Sequence, residues 1–273
     1  MASKRKEYIG LAEELAQAAQ LTSPLPADTD LTPEQLSIVQ AQLKKVMAFP
    51  RDTFWLAFSA GHLPVLATAL RSLSPSTQRT AIRALILILS PLPDPKFDPY
   101  FRKFLRLHFA GLPTIIAHAF NIGIMDDLEP LDVTEVTTLI IHTLIWCGPS
   151  MGDDARASID KQARVELADK LKGLESDTRF AGLEGRREAE LKRLIGILGI
   201  VDITEMGPPG FYVTSTRGHI EGSLAGQEEC VVCMAEDPLR TCSVCKSVMY
   251  CGAKCQSKDW KQGHNLRCYK MEY

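Results

Sequence analysis

The sequence predicts an all-α amino-terminal domain at 1–201, a linker at 202–228 and a small metal-held module at 229–273. Three observations predict it. Apolar residues recur at helical spacing through the first part, with no alternating strand pattern. A stretch rich in glycine and proline then interrupts them. Beyond it, seven of the eight cysteines crowd between Cys230 and Cys268.

The helix signals come in order. Thr32-Pro33-Glu34-Gln35 reads as a helix start: Thr32 caps, Pro33 suits the first turn, and Gln35 reaches back to the cap backbone. Leu31 and Leu36 are placed to staple over it. Ile82, Leu85, Ile86 and Leu89 share one helix face, and Leu87 and Ile88 extend the apolar surface to the other side. Asp132-x-x-Glu135 reads as a capping start, followed by the stripe Val136, Leu139, Ile140 and Leu144. Leu191, Leu194, Ile195 and Leu198 mark a further helix.

Gly61-His62-Leu63-Pro64 is echoed by Ala110-Gly111-Leu112-Pro113. The first copy, with the helical residues after it, resembles an armadillo repeat, in which a glycine turn precedes a proline-initiated helix. Such units and the related HEAT units usually recur at about 40–47 residues, so the longer interval here calls for an added loop. Ser90-Pro91-Leu92-Pro93-Asp94-Pro95 can supply it, and Phe180-Ala181-Gly182-Leu183 can open a third unit. A helical bundle explains the same pattern, and both architectures stay open. In the linker, Gly207, Pro208, Pro209 and Gly210 break helices, while Phe211-Tyr212-Val213 can dock back on the domain.

The formal charge of -2 provides no global basic excess for nucleic acid. The apolar runs Ala84–Leu89 and Val136–Trp146 fall short of the roughly 20 residues that span a bilayer. Glu7, Glu13 and Glu14 spoil any signal-peptide core after Lys4-Arg5-Lys6. An intracellular protein without a membrane span, cytoplasmic or nuclear, is expected, and clustered cysteines there read as metal ligands rather than disulfides.

Eight ligands are available: Cys230-x2-Cys233, Cys242-x2-Cys245, Cys251-x3-Cys255 and His264-x3-Cys268. Zinc takes four such ligands in a tetrahedron, so eight imply two closed structural zinc ions. A segment this short cannot build a core alone, and metal should supply its folding energy, about 10–16 kcal/mol per site. Spacing leaves the pairing open: the first four ligands can hold one ion and the last four another, or the pairs can interleave.

The full run, including Tyr250-Cys251, Cys255-Gln256 and Trp260 before His264, resembles a MYND finger at every ligand position. The resemblance implies the interleaved pairing, with Cys230, Cys233, Cys251 and Cys255 on one zinc and Cys242, Cys245, His264 and Cys268 on the other. A RING finger places its histidine mid-order, whereas here it is the seventh ligand, which disfavours RING-type ubiquitin ligation. The family further implies binding of partner proteins through proline-containing Pro-x-Leu-x-Pro peptides. By position it points to Gln256 and Trp260, with Ser247 and Val248 on the neighbouring segment. Trp260 reads equally as a core residue of a tiny module and as a binding anchor.

From Glu228 onward seven basic side chains meet six acidic ones. Seven thiolates and two dications then leave the loaded module slightly negative, which argues against nucleic acid. No catalytic constellation emerges. Some MYND fingers are set into SET-domain lysine methyltransferases, but no strand-rich core or Asn-His motif is present, and Asn121 and Asn265 sit in no suitable context. Cys147 ends an apolar helix, where a buried thiol is the default, and His142 lies on another face of it. The expectation is a non-enzymatic adaptor, with a transcriptional or ubiquitin-pathway cofactor as the alternative and a methyltransferase third.

Overall fold

The computed structural model describes residues 2–23, 25–148, 158–175, 177, 185–200, 211–224, 229–271 and 273. Among these described residues, nine helices run from the amino terminus: α1 (Ala2–Ala18), α2 (Pro33–Val46), α3 (Arg51–Ser72), α4 (Arg79–Leu89), α5 (Pro99–Leu107), α6 (Leu112–Asn121), α7 (Pro130–Trp146), α8 (Lys161–Glu175) and α9 (Gly185–Ile200). One pattern recurs in their packing, alongside contacts between successive helices and between α4 and α7. α1 lies on α3, α3 on α5, α5 on α7 and α7 on α9, while α2 lies on α4, α4 on α6 and α6 on α8. Helices two apart in the chain are neighbours. The domain is therefore two stacked rows, in which each helix pair buries its apolar face on the next.

Local chemistry sets most boundaries. α2 begins at the expected capping box: Thr32 Oγ1 accepts from the Gln35 N–H, and Gln35 Oε1 accepts from the Thr32 N–H. α4 is buried from Ala81 to Leu89 except at Arg83, as its all-round apolar pattern predicted. α7 begins earlier than the Asp132 signal suggested. Glu129 is its N-cap residue and Pro130 enters its first turn, because the fixed φ of proline suits that position.

The Leu-Pro echo is not a structural repeat. Gly111 caps α6 at φ 84°, a left-handed conformation that favours glycine, and Pro113 follows in the first turn. Gly61 and Pro64, by contrast, lie inside the unbroken α3. A proline there forfeits the bond to the Ala60 carbonyl, at about 3 kcal/mol. Burial of Phe54, Trp55, Phe58, Leu63, Leu66 and Leu70 offsets it, at about 1.5–3 kcal/mol each. The corresponding third unit, at Phe180–Leu183, lies outside the described residues.

α3 also corrects the reading of membrane potential. Thr53–Ser72 is long and apolar enough to cross a bilayer by length and composition, but 61% of that window is buried inside the protein. The segment read as linker holds a further helix, α10 (Phe211–Gly222), with Val213 buried and the helix packed on α7. Residues 202–210 and 225–228 of that segment lie outside the described residues.

The carboxy-terminal module contains strands β1 (Arg240–Thr241) and β2 (Met249–Tyr250), paired antiparallel, then α11 (Ala253–Asp259), a π turn at Trp260–His264 and α12 (Asn265–Arg267). It is not a free appendage. α12 packs on α3, and the last residues enter the helical domain. Tyr100 of α5 accepts from the Tyr269 N–H (2.7 Å) and directs its own proton to the Arg267 and Tyr269 carbonyls (2.9 and 3.2 Å). Tyr273 donates to the Tyr100 carbonyl (2.8 Å), with the Ser59 carbonyl at 3.2 Å. Beneath them, fully buried Asp98 caps α5 by accepting from the N–H groups of Tyr100 and Phe101, and it accepts from Ser59 Oγ at 2.6 Å. The amino-terminal basic run joins in, since the Arg5 guanidinium lies 5.5 Å from the centre of the Tyr269 ring.

Candidate metal centre

Two clusters gather all eight expected ligands. Cys230, Cys233, Cys251 and Cys255 form the first, and Cys242, Cys245, His264 and Cys268 the second, with ligand atoms in each within 4.8 Å of one another. The pairs interleave along the chain.

Each Cys-x2-Cys pair sits on the same turn. The N–H of Met234 bonds to the Cys230 carbonyl (2.8 Å), and the N–H of Lys246 to the Cys242 carbonyl (2.9 Å). Closing those turns puts Met234 at φ 59° and Lys246 at φ 52°, in the left-handed region. β1 and β2 then bring the two halves together: the Val231 N–H reaches the Met249 carbonyl and the Cys242 N–H the Val248 carbonyl. Cys251 just precedes α11 and Cys255 lies inside it, so the two approach across the helix start rather than along a full turn.

His264 and Cys268 are not one regular α turn apart either. The π turn reaches φ 138° at Gly263, Asn265–Arg267 form a short helix, and Cys268 is extended. That bulge carries His264 Nε2 to 3.7 Å from Cys245 Sγ. Its other ring nitrogen faces Asp259 at 3.7 Å, too long for a hydrogen bond but close enough to favour the ring orientation. Tyr250 donates to the same Asp259 oxygen at 2.6 Å and fixes it.

The spacings fit zinc. Tetrahedral bonds of about 2.3 Å to sulfur and 2.0–2.1 Å to nitrogen require S···S edges of about 3.8 Å and S···N edges of about 3.6 Å. The sulfur separations are 3.5, 3.5 and 3.7 Å in the first cluster and 3.7 Å for Cys242–Cys268 in the second. All are far beyond a disulfide bond. Thiols so crowded cannot all ionise by themselves. The hydrogen bond from Cys268 pulls the Cys245 thiol down to about 4. Bonds shared with Cys233, Cys255 and Cys230 push Cys251 up to about 12. A dication at each centre is what lets every sulfur become a ligand.

The two centres differ in surroundings. The four ligands of the second are all buried, whereas Cys233 of the first is exposed and Cys251 and Cys255 are half-buried.

A family model of the MYND finger matches residues 230–268. The tail is a MYND finger. Its two clusters are zinc sites, the first made of four cysteines and the second of three cysteines and a histidine. The finger is similar to part of ubiquitin carboxyl-terminal hydrolase 19 of Arabidopsis thaliana, 55% identical over 40 residues, which are 15% of this chain and 6% of that protein. Ubiquitin carboxyl-terminal hydrolase 17 of the same plant is 41% identical over 51 residues, 19% of this chain and 7% of that protein. Ubiquitin C-terminal hydrolase 15 of Oryza sativa subsp. japonica is 51% identical over 41 residues, 15% of this chain and 4% of that protein. The chain thus spans only 4–7% of the length of these relatives. No solved structure matches the chain.

Of the residues that the family resemblance points to for partner binding, Ser247 and Val248 line one described cleft, and Gln256 and Trp260 are not among its lining. Trp260 is 42% exposed, with its ring 5.9 Å from that of His264, so it is not an interior residue of the finger. Gln256 is half-buried on α11. Ser247, whose hydroxyl donates to the Cys245 carbonyl, and Val248 line a cleft between the finger and α5 that neither Gln256 nor Trp260 reaches. The tail anchor formed by Tyr100, Tyr269 and Tyr273 is absent from the sequence reading, since nothing local marks it.

Elsewhere, Cys147 is fully buried, its thiol directed at the Phe109 carbonyl (3.4 Å), and His142 faces Asp94 at 3.7 Å. These two contacts go to different partners.

Proposed function

We propose that this protein is an intracellular, non-enzymatic adaptor. MYND fingers mediate protein–protein interactions, and two zinc ions hold this one in shape. In this reading the finger captures an extended Pro-x-Leu-x-Pro peptide of one partner, using Trp260, Gln256, Ser247 and Val248, while the helical rows hold another. The observation that carries it is the exposure of Trp260, since a large aromatic left open on so small a module is suited to anchoring a ligand. A ubiquitin-pathway role is the second reading. It is favoured by the shared finger of three ubiquitin hydrolases, and it would make the finger a recruitment element for a partner that those enzymes also use.

The test is proximity labelling or pull-down with wild type and Trp260→Ala, scored only where the variant retains two zinc ions. Loss of a discrete set of partners supports the adaptor reading, and an unchanged set refutes it. Methyl transfer from S-adenosylmethionine to a lysine substrate by the purified chain would overturn its non-enzymatic part.

A further inference from the structure

The cleft between the finger and α5 has a chemistry that the finger alone lacks. It measures about 310 Å³. On one wall stand Pro99, Arg102, Lys103, Arg106 and Leu107, positions i, i+3, i+4, i+7 and i+8 of a single helix face. The opposite face of α5 puts Tyr100, Phe101, Phe104 and Leu105 into the core, so burial fixes which side chains meet the cleft. Lys246, Ser247 and Val248 stand on the finger wall.

Among the described residues no acidic side chain lines it. Two of its cations are already engaged: Arg106 pairs with Glu221 of α10, and Arg102 donates to the carbonyls of Pro95 and Lys96. Lys103 and Lys246 form no ion pair among the described residues, and they belong to opposite walls. The field in the cleft is positive although the chain as a whole carries -2. Apolar surface is also present, since Leu107 is 65% exposed and Val248 half-buried.

We propose that this cleft is a docking groove for an extended acidic segment of a partner protein, with carboxylates meeting Lys103 and Lys246 and an apolar side chain between them. Charge complementarity selects the carboxylates, and the apolar surface of Leu107 and Val248 favours a peptide over a nucleic-acid backbone. The helical domain thereby supplies specificity for what flanks the peptide core held by the finger. This rests on the adaptor reading above, but it can fail separately.

The test uses the full chain, zinc content verified, and three fluorescein-labelled 12-residue peptides read by anisotropy. The first carries Pro-x-Leu-x-Pro with glutamates flanking it, the second has those glutamates as glutamines, and the third scrambles the core but keeps the glutamates. Several exposed charge pairs together predict about tenfold tighter binding of the first than the second in low salt, shrinking as salt rises. Lys103→Glu with Lys246→Glu should abolish that ratio. Because Lys246 adjoins the ligand Cys245, Lys103→Glu alone, on α5 and outside the finger, should reduce it too. Trp260→Ala should weaken both core-bearing peptides and leave the ratio intact. Equal affinity of the first two peptides, or a ratio indifferent to Lys103→Glu, overturns the groove while leaving the finger reading standing. Equal affinity of the first and third overturns the finger reading and leaves the groove. No binding by any peptide overturns both, and preferential binding of a 12-nucleotide single strand overturns the choice of a peptide.

Discussion

The two zinc centres have the same ligand count, but one is near the surface and the other is built into the protein. Cys233 of the first is exposed, while every ligand of the second is buried. The second is also continuous with the helical domain. Cys268 is its last ligand, and the very next N–H, that of Tyr269, is bonded to Tyr100 of α5. The contrast teaches that a structural metal can stabilise more than its own module, provided that the chain leaving its last ligand is anchored elsewhere.

The largest effect should come from breaking one centre at a time. Cys268→Ser and Cys233→Ser are each expected to lower the metal content from two to one. Only Cys268→Ser should release the tail, exposing the buried Tyr269 and Met271. Losing that burial is worth about 3–5 kcal/mol, or about 10 °C in the helical transition of a domain this size. Calorimetry with metal analysis checks it, and equal shifts for the two variants would show that the centres are not distinct in this way. A chelator series should report the same order, the first site emptying before the second and the helical transition moving only with the second.

A smaller effect isolates the linkage from the metal. Tyr100→Phe keeps the ring but leaves the Tyr269 N–H and the Arg267 carbonyl without their partner. Stranding buried polar groups costs about 1–3 kcal/mol. Both zinc ions should stay bound while amide exchange in 265–271 accelerates. If exchange there is unchanged, the tyrosine contributes packing alone.

Beneath that linkage lies a proton. Complete burial pushes the Asp98 carboxyl up to about 6, against the hydrogen bonds of Ser59, Phe101 and Tyr100, which favour its charged form. With a folded value above the ordinary carboxylate value of 3.8, the folded state binds the proton more tightly than the unfolded chain. The group's unfavourable contribution is full above about pH 6 and shrinks as pH falls towards 3.8. Between pH 7 and 5 the wild type should gain about 1 kcal/mol relative to Asp98→Asn. Zinc content must be constant across that range, and a flat difference would show that the buried carboxyl titrates normally.

How much of this was legible in the sequence depends on the range over which each signal acts. The ligands were readable because metal geometry is written in gaps of two and three residues. The α2 cap was equally local. Their pairing needed the family resemblance, since spacing permits two solutions. The Gly61–Pro64 echo misled because burial of Trp55, Phe58 and Leu66 outweighs a local helix breaker. α10 was hidden by its own glycines, 218 and 222, and by those flanking it. The tail anchor joins Tyr100 to residues some 169 positions away and has no local pattern at all. The basic face of α5 was present in Arg102, Lys103 and Arg106, but charge summed over the whole chain or over the finger could not reveal a local face.

The smallest effect tests whether the two centres differ by environment alone. Their Cys-x2-Cys turns are equivalent, each closed by a residue held left-handed, Met234 in the first and Lys246 in the second. A side chain there costs about 1–2 kcal/mol, and glycine removes that strain at an entropic cost of about 0.5–1 kcal/mol. Met234 is 69% exposed, so trimming it loses almost no packing. Met234→Gly should therefore strengthen the first centre by under about 1 kcal/mol, seen as slower zinc release to a chelator. The second centre and the helical transition should not move. Slower release from both centres would mean that the turns communicate through the strand pair, and that the surface site is not as separate from the buried one as its exposure implies.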